Sequence, residues 1–153
     1  MIKLADAAPA DAGAIAGLLA ELAVFYGGTP EGTPGERAEQ VGAALFGDPP
    51  AARALLAWDG TALAGLASWS FLWPAAGLTR SLYLKELYVG QAYRRAGVGK
   101  LLMEELYRIA ADHGCSRVEW TTDTGNSAAQ RFYESLGATP LATKIFYRLT
   151  PRV

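Results

Sequence analysis

An apolar-rich run, Leu82-Tyr83-Leu84-Lys85-Glu86-Leu87-Tyr88-Val89, is followed by the basic, glycine-bearing stretch Arg94-Arg95-Ala96-Gly97-Val98-Gly99-Lys100, which opens onto a helix-period segment. A strand, a tight turn and an amphipathic helix in immediate succession restrict the chain to an α/β arrangement. Gly97 and Gly99 allow backbone N–H groups to converge on one point, and a helix N-terminus adds positive potential there. Arg94, Arg95 and Lys100 place three cations at that same end, where the helix dipole disfavours them. Gly97 and Gly99 also read as a purely structural tight turn, but a turn needs no such charge, and a bound anion resolves the conflict.

Two phosphate-binding patterns are excluded. The nucleotide-triphosphate loop requires a glycine where Arg94 stands and a hydroxyl where Leu101 stands. The dinucleotide fingerprint requires glycine at Leu102 and a parallel βαβ unit with an acidic end, and neither is present.

The remaining elements follow from periodicity. Ile2 to Ala7 is expected as an edge strand, and Pro9 with Asp11 opens a helix whose Ile15, Leu18, Leu19, Leu22 and Tyr26 share one face. Gly27 to Gly32 is a loop, and Thr33-Pro34-Gly35-Glu36 reads as a capping box starting a helix to about Phe46. Ala54–Trp58 and Ala62–Phe71 are predicted strands joined at Asp59-Gly60, and Ser81 to Val89 is a third. Gly97 to His113 is the best helix, with Gly114 as its stop. Val118–Thr122 is a short strand, Asn126–Leu136 a helix ending at Gly137, and Lys144–Leu149 a last strand. The expectation is one α/β (α+β) domain over residues 1–153, with a mixed sheet flanked by helices.

Composition narrows the partners. Fourteen basic against fifteen acidic residues argue against a broad nucleic-acid or membrane footprint but allow a local basic pocket. One cysteine, Cys115, excludes an internal disulfide and a cysteine-based metal cluster, and no metal site is expected. No apolar run approaches a membrane span and the first residues lack a signal-peptide core, so a cytoplasmic protein is expected.

The loop and its neighbours resemble a known family. Arg94-Arg95-Ala96-Gly97-Val98-Gly99 is similar to the Arg/Gln-x-x-Gly-x-Gly/Ala loop of the GNAT N-acetyltransferases. Tyr83 to Val89 resembles that family's bulged central strand, and Asn126 to Ala138 its Asn-x-x-Ala-x-x-Phe-Tyr-x-x-x-Gly helix. The resemblance implies a mostly antiparallel sheet splayed between its fourth and fifth strands, and transfer of an acetyl group from acetyl-coenzyme A to an amine. The pantetheine arm would pair with Leu87 and Val89, and the pyrophosphate would rest on the amides of Arg95 to Lys100. Asn126 would contact the pantetheine arm or nearby backbone, and Ala129 would leave room for it. Tyr133 matches the family's tyrosine that protonates the departing sulfur. The competing reading of Tyr133 is an aromatic core residue, but its neighbour Phe132 points about 100° away on a helix, so the two are not expected both to be core.

Acetyl transfer also needs an oxyanion donor, for which the N–H of Leu87 or Tyr88 is expected, and a base. Glu86 is the only acid of the central strand. In the polyamine-acetyltransferase branch, which the strand resembles, the glutamate comes one position earlier, where this chain has Lys85. A one-residue shift reverses the strand face unless a bulge restores it. Glu86 is therefore read either as the base, acting through a water, or as an ion-pair partner of Lys85. Tyr26, Glu31, Trp69, Phe71 and Lys85 are candidate acceptor contacts, with Trp69 and Phe71 equally readable, like Trp73, as core or dimer packing. His113 and Cys115 read as structural.

The leading function is acetylation of a small primary amine such as a polyamine, amino acid or aminoglycoside, by direct attack in a ternary complex. Non-catalytic sensing of acyl-coenzyme A and acetylation of protein lysines are the alternatives. Aromatic-rich strands and Ile145-Phe146-Tyr147 lead to an expected homodimer.

Overall fold

The computed structural model describes residues 1–152, in two compact units divided after Thr121. The first unit holds β1 (Ile2–Asp6), α1 (Ala12–Phe25), α2 (Pro34–Phe46), β2 (Arg53–Asp59), β3 (Ala62–Leu72), β4 (Arg80–Val89), α3 (Val98–Asp112) and β5 (Cys115–Glu119). The second unit contains α4 (Ser127–Ser135).

The five strands form one sheet in the order β1-β2-β3-β4-β5, antiparallel except for the parallel β4–β5 pair. The first four strands follow from local connections. Asp59 pairs with Ala62 across a two-residue turn whose positive φ falls on Gly60, the one residue there without a side-chain penalty. A parallel β5 needs a crossover, and α3 supplies it.

The helices cover opposite faces. Ile15 and Leu18 of α1 pack with Leu56, Leu66 and Tyr88. On the other face α3 buries Val98, Leu102 and Leu106, spaced at four residues, with Met103 beside them. Thr33 caps α2 as expected, its Oγ1 accepting from the Glu36 amide at 3.1 Å. His113 ends α3, its Nδ1 2.8 Å from the Ile109 carbonyl, and Gly114 follows with φ +69°. Asn126 starts α4 by accepting from the Ala129 amide at 3.1 Å, and Gly137 lies beyond its end with φ +88°.

Two expectations are corrected. The fifth strand is Cys115–Glu119, not Val118–Thr122, because pairing with β4 begins directly after Gly114. Lys144–Leu149 forms no strand, and Ile145, Phe146, Tyr147 and Leu149 stand exposed. β-propensity alone does not make a strand without a pairing partner, and none of the described strands pairs with this segment.

Gly65 fixes how closely β3, β4 and α3 approach. A Cβ there would lie 3.0 Å from the Tyr88 carbonyl oxygen, 3.2 Å from Val98 Cγ1 and 3.4 Å from Leu102 Cδ1. Gly65→Ala is predicted to cost about 1–3 kcal/mol by overpacking, read from denaturant midpoints. A cost near zero would show that helix and sheet are not held at this spacing.

Candidate active site

Strand β5 pairs with β4 only over Arg80 to Tyr83, matched to Cys115 through Glu119. Beyond Tyr83, β4 runs on through Leu84 to Val89 paired with β3 on one side, while no described strand pairs with its other side. Six residues span about 20 Å at strand rise. Unpaired N–H and C=O groups on such an edge are a template for another extended molecule carrying amides. Leu87 and Val89 both lie on this segment.

The same segment carries a β-bulge. Leu84 pairs with Trp69 and Glu86 with Ser68, which leaves Lys85 as the extra residue. Because the pleat alternates faces, Leu84 shares the α3 face with Trp69, whereas Glu86 shares the α1 face with Ser68, Leu66 and Tyr88. The bulge brings Lys85 and Glu86 onto that face one after the other. The one-residue offset from the polyamine-branch pattern is thereby absorbed by the backbone. Glu86 is half-buried and Lys85 exposed. Burial pushes the Glu86 carboxyl above the usual carboxylate range, and the Lys85 charge and the Leu87 amide pull it partly back. No salt bridge joins Lys85 to Glu86 within 4.0 Å.

The basic loop ends at the α3 N-terminus. Arg95 has φ +62° and Gly97 φ +82°, and Gly97 caps α3 without any side-chain hydrogen bond. The first-turn amides of Val98, Gly99 and Lys100 have no partner within the helix, and no acidic residue stands in that turn. Ala96, Arg95 and Lys100 are exposed there. Lys100 pairs with Glu104 at 3.8 Å, one helical turn on. Positive φ on a non-glycine residue costs about 1–2 kcal/mol, so arginine at position 95 stands against backbone preference.

Arg94, expected at the anion, points elsewhere. Its guanidinium lies 4.3 Å from the Phe25 ring centroid and 5.4 Å from that of Tyr88, and its Nε donates to the Val89 carbonyl at 3.3 Å. Glu21 of α1 also faces the Tyr88 hydroxyl, whose pKa is raised first by burial and then by Glu21. Arg94 thus pins the loop to the end of α1. Tyr93 adds a second tie, its hydroxyl donating to Asp59 at 3.2 Å. Glu21 and Phe25, four residues apart on one helix face, are the functional neighbours that sequence reasoning missed. Their spacing was visible, but the strand they cover was not.

The acceptor candidates divide. Tyr26 follows α1 and is exposed, its ring edge-on to Phe25 at 5.2 Å, and Phe25 lies 6.2 Å from Tyr88. Glu31 stands exposed in the next loop, where its carbonyl accepts from Arg37. Trp69 and Phe71 are corrected: they lie on the α3 face, away from Glu86. Trp69 is 4% exposed, and Phe71 stacks beneath Arg80 at 4.1 Å and beside His113 at 5.1 Å. Period-2 alternation decides this, since Glu86 pairs with Ser68 and not with its odd-numbered neighbours. A cavity of about 610 Å³ on that α3 face is lined by Trp69, Arg53, Arg108 and His113, and holds none of the loop or β4-edge residues.

In the second unit, Asn126 and Ala129 are half-buried and joined by the cap. Tyr133 is half-buried beside Phe132, ring centroids 5.3 Å apart. Among the described residues no cluster of three His, Cys, Asp or Glu side chains is arranged to hold a metal ion, and no helix is long and apolar enough to cross a membrane.

The chain is similar to known proteins in fold and in sequence. An integron cassette protein from the mobile metagenome of V. cholerae superposes with a TM-score of 0.90 at 27% identity, covering 98% of this chain and 93% of that one. A 66-residue stretch is 35% identical to L-ornithine N5-acetyltransferase of Arabidopsis thaliana, covering 43% of this chain and 29% of that protein. Thialysine N-epsilon-acetyltransferase of Bos taurus is 34% identical over 62 residues, 40% of this chain and 36% of its own length. The chain thus spans about a third of the length of these curated relatives. The model of the Acetyltransferase (GNAT) family matches residues 19–138, and on that match the chain belongs to this family.

Proposed function

We propose that the protein transfers an acetyl group from acetyl-coenzyme A to a primary amine of a small molecule, by direct attack. One observation carries the reading: the unpaired β4 edge at Leu84–Val89 leads into an uncapped, cation-flanked helix N-terminus, and Glu86 stands on the same segment. The edge suits a pantetheine arm, which bears amides, and the helix start suits a pyrophosphate. Curated relatives named as acting on ornithine, thialysine and aminoglycosides support a small amine as acceptor.

The residues fit the cofactor. Leu87 and Val89 would hold the arm, and the amides from Arg95 to Lys100, with the Arg95 and Lys100 charges, would hold the pyrophosphate. Acetyl-coenzyme A supplies an activated acyl group and a sulfur leaving group. Glu86 accepts the ammonium proton through a water, which leaves the nitrogen lone pair free to attack. The N–H of Leu87 or Tyr88 donates to the carbonyl oxygen as it gains charge. Tyr133 gives its proton to the departing sulfur, as the family resemblance implies. Asn126 orders the start of its helix and Ala129 keeps that turn small.

The base assignment has a defined pH signature. Glu86 must be ionised to work, so kcat/KM falls as pH drops through its raised pKa. Glu86→Gln is expected to lower kcat/KM on the order of 100-fold and to remove that acidic limb. Lys85 holds the Glu86 pKa down, so Lys85→Gln should move the limb to higher pH. A pH–rate profile followed by thiol release reads both. An unchanged profile in Glu86→Gln would rule out this base.

Arg95 separates binding from stability. Arg95→Gly removes the strain of φ +62° along with the charge. Melting temperature should hold or rise slightly, while Kd for acetyl-coenzyme A by calorimetry should weaken about tenfold. Unchanged affinity would remove Arg95 from the pyrophosphate site.

A further inference from the structure

The bulge does more than aim Glu86. Between Ser81 and Val89, Lys85 is the one residue that β3 does not pair, and its side chain is exposed with no carboxylate of the described residues within 4.0 Å. It shares the α1 face with Glu86. The other side chains of β3 and β4 on that face near the bulge are Ser68, opposite Glu86, then Ser70 opposite Tyr83, and Tyr88. Glu86 is the only carboxylate among them. Glu21, across from Tyr88, already faces that hydroxyl and Arg94. An amine approaching Glu86 along these strands therefore meets one negative charge and, one residue away, one positive charge.

A diamine or polyamine is poorly matched to that pair. Its first ammonium finds Glu86, but a second would find Lys85 and two serine hydroxyls. An acceptor carrying both an amine and a carboxylate matches in sign at both ends. We propose that Lys85 is a specificity-determining residue that selects an amino acid with a free amine over the corresponding simple diamine. Its ammonium takes the acceptor's carboxylate while Glu86 takes the amine. Resting on the reading of Glu86 as the amine-side group, this deepens the proposed function by naming the acceptor class.

Ornithine and 1,4-diaminobutane form the decisive pair, because they differ only in the α-carboxylate. The proposal predicts that kcat/KM for ornithine exceeds that for 1,4-diaminobutane by about threefold or more, a ratio in the range of one ion pair made by an exposed side chain. Lys85→Gln should collapse the ratio and Lys85→Glu should invert it, with melting temperatures unchanged because the side chain is exposed. Preference for the diamine in the unaltered protein, or a ratio insensitive to Lys85, would overturn it. Binding of each acceptor to the coenzyme A complex, followed by calorimetry, gives an arm independent of turnover. If no amine is acetylated, the proposed function fails, and the Lys85 assignment is then judged on that arm alone. Tighter binding of ornithine that Lys85→Gln abolishes would sustain it, and equal binding of the two acceptors would overturn it.

Discussion

Strand β5 ends at Glu119 after pairing with four residues of β4, while β4 continues to Val89. A buried sheet edge must find hydrogen-bond partners, and an open one waits for them. The open edge here runs toward the start of α3, where a second set of unpaired amides is concentrated. Two kinds of unmet donor thus lie along one chain segment. Gly65 keeps that arrangement tight by letting α3 approach β3 and β4 without a Cβ between them.

The bulge at Lys85 shapes the opposite face of the same strand. In an unbroken strand the residue after Lys85 would face α3 with Leu84. The extra residue turns Glu86 toward α1 instead, half-buried and raised in pKa by that burial. A single backbone irregularity therefore decides that Glu86 shares the α1 face with Ser68 and Tyr88 and that the Lys85 charge stands beside it. Arg94 contributes from the loop side by lying over Phe25 and Tyr88. It ties the turn before α3 to the end of α1, the helix that Tyr26 and the Glu31 loop follow.

Local rules made much of this legible. The Gly60 turn, the Thr33 cap, the period of α3 and the Asn126 cap each depend on residues within a few positions, and each appears in the structure. Long-range relations were harder. Trp69 and Phe71 looked equally suited to a core and to an acceptor wall, because alternation fixes that two residues share a face but not which helix covers it. Arg94 belongs to a phosphate-loop pattern in sequence, yet its direction depends on Phe25, which lies 69 positions earlier. Lys144–Leu149 carries strand composition without a partner, and composition cannot supply one.

Amide hydrogen exchange with and without coenzyme A reads which backbone N–H groups gain partners when the cofactor binds. Protection is expected mainly at Leu84–Val89 and at Val98, Gly99 and Lys100. Protection that leaves both segments unchanged while appearing elsewhere, for example around Arg53 and Arg108 on the α3 face, would contradict it.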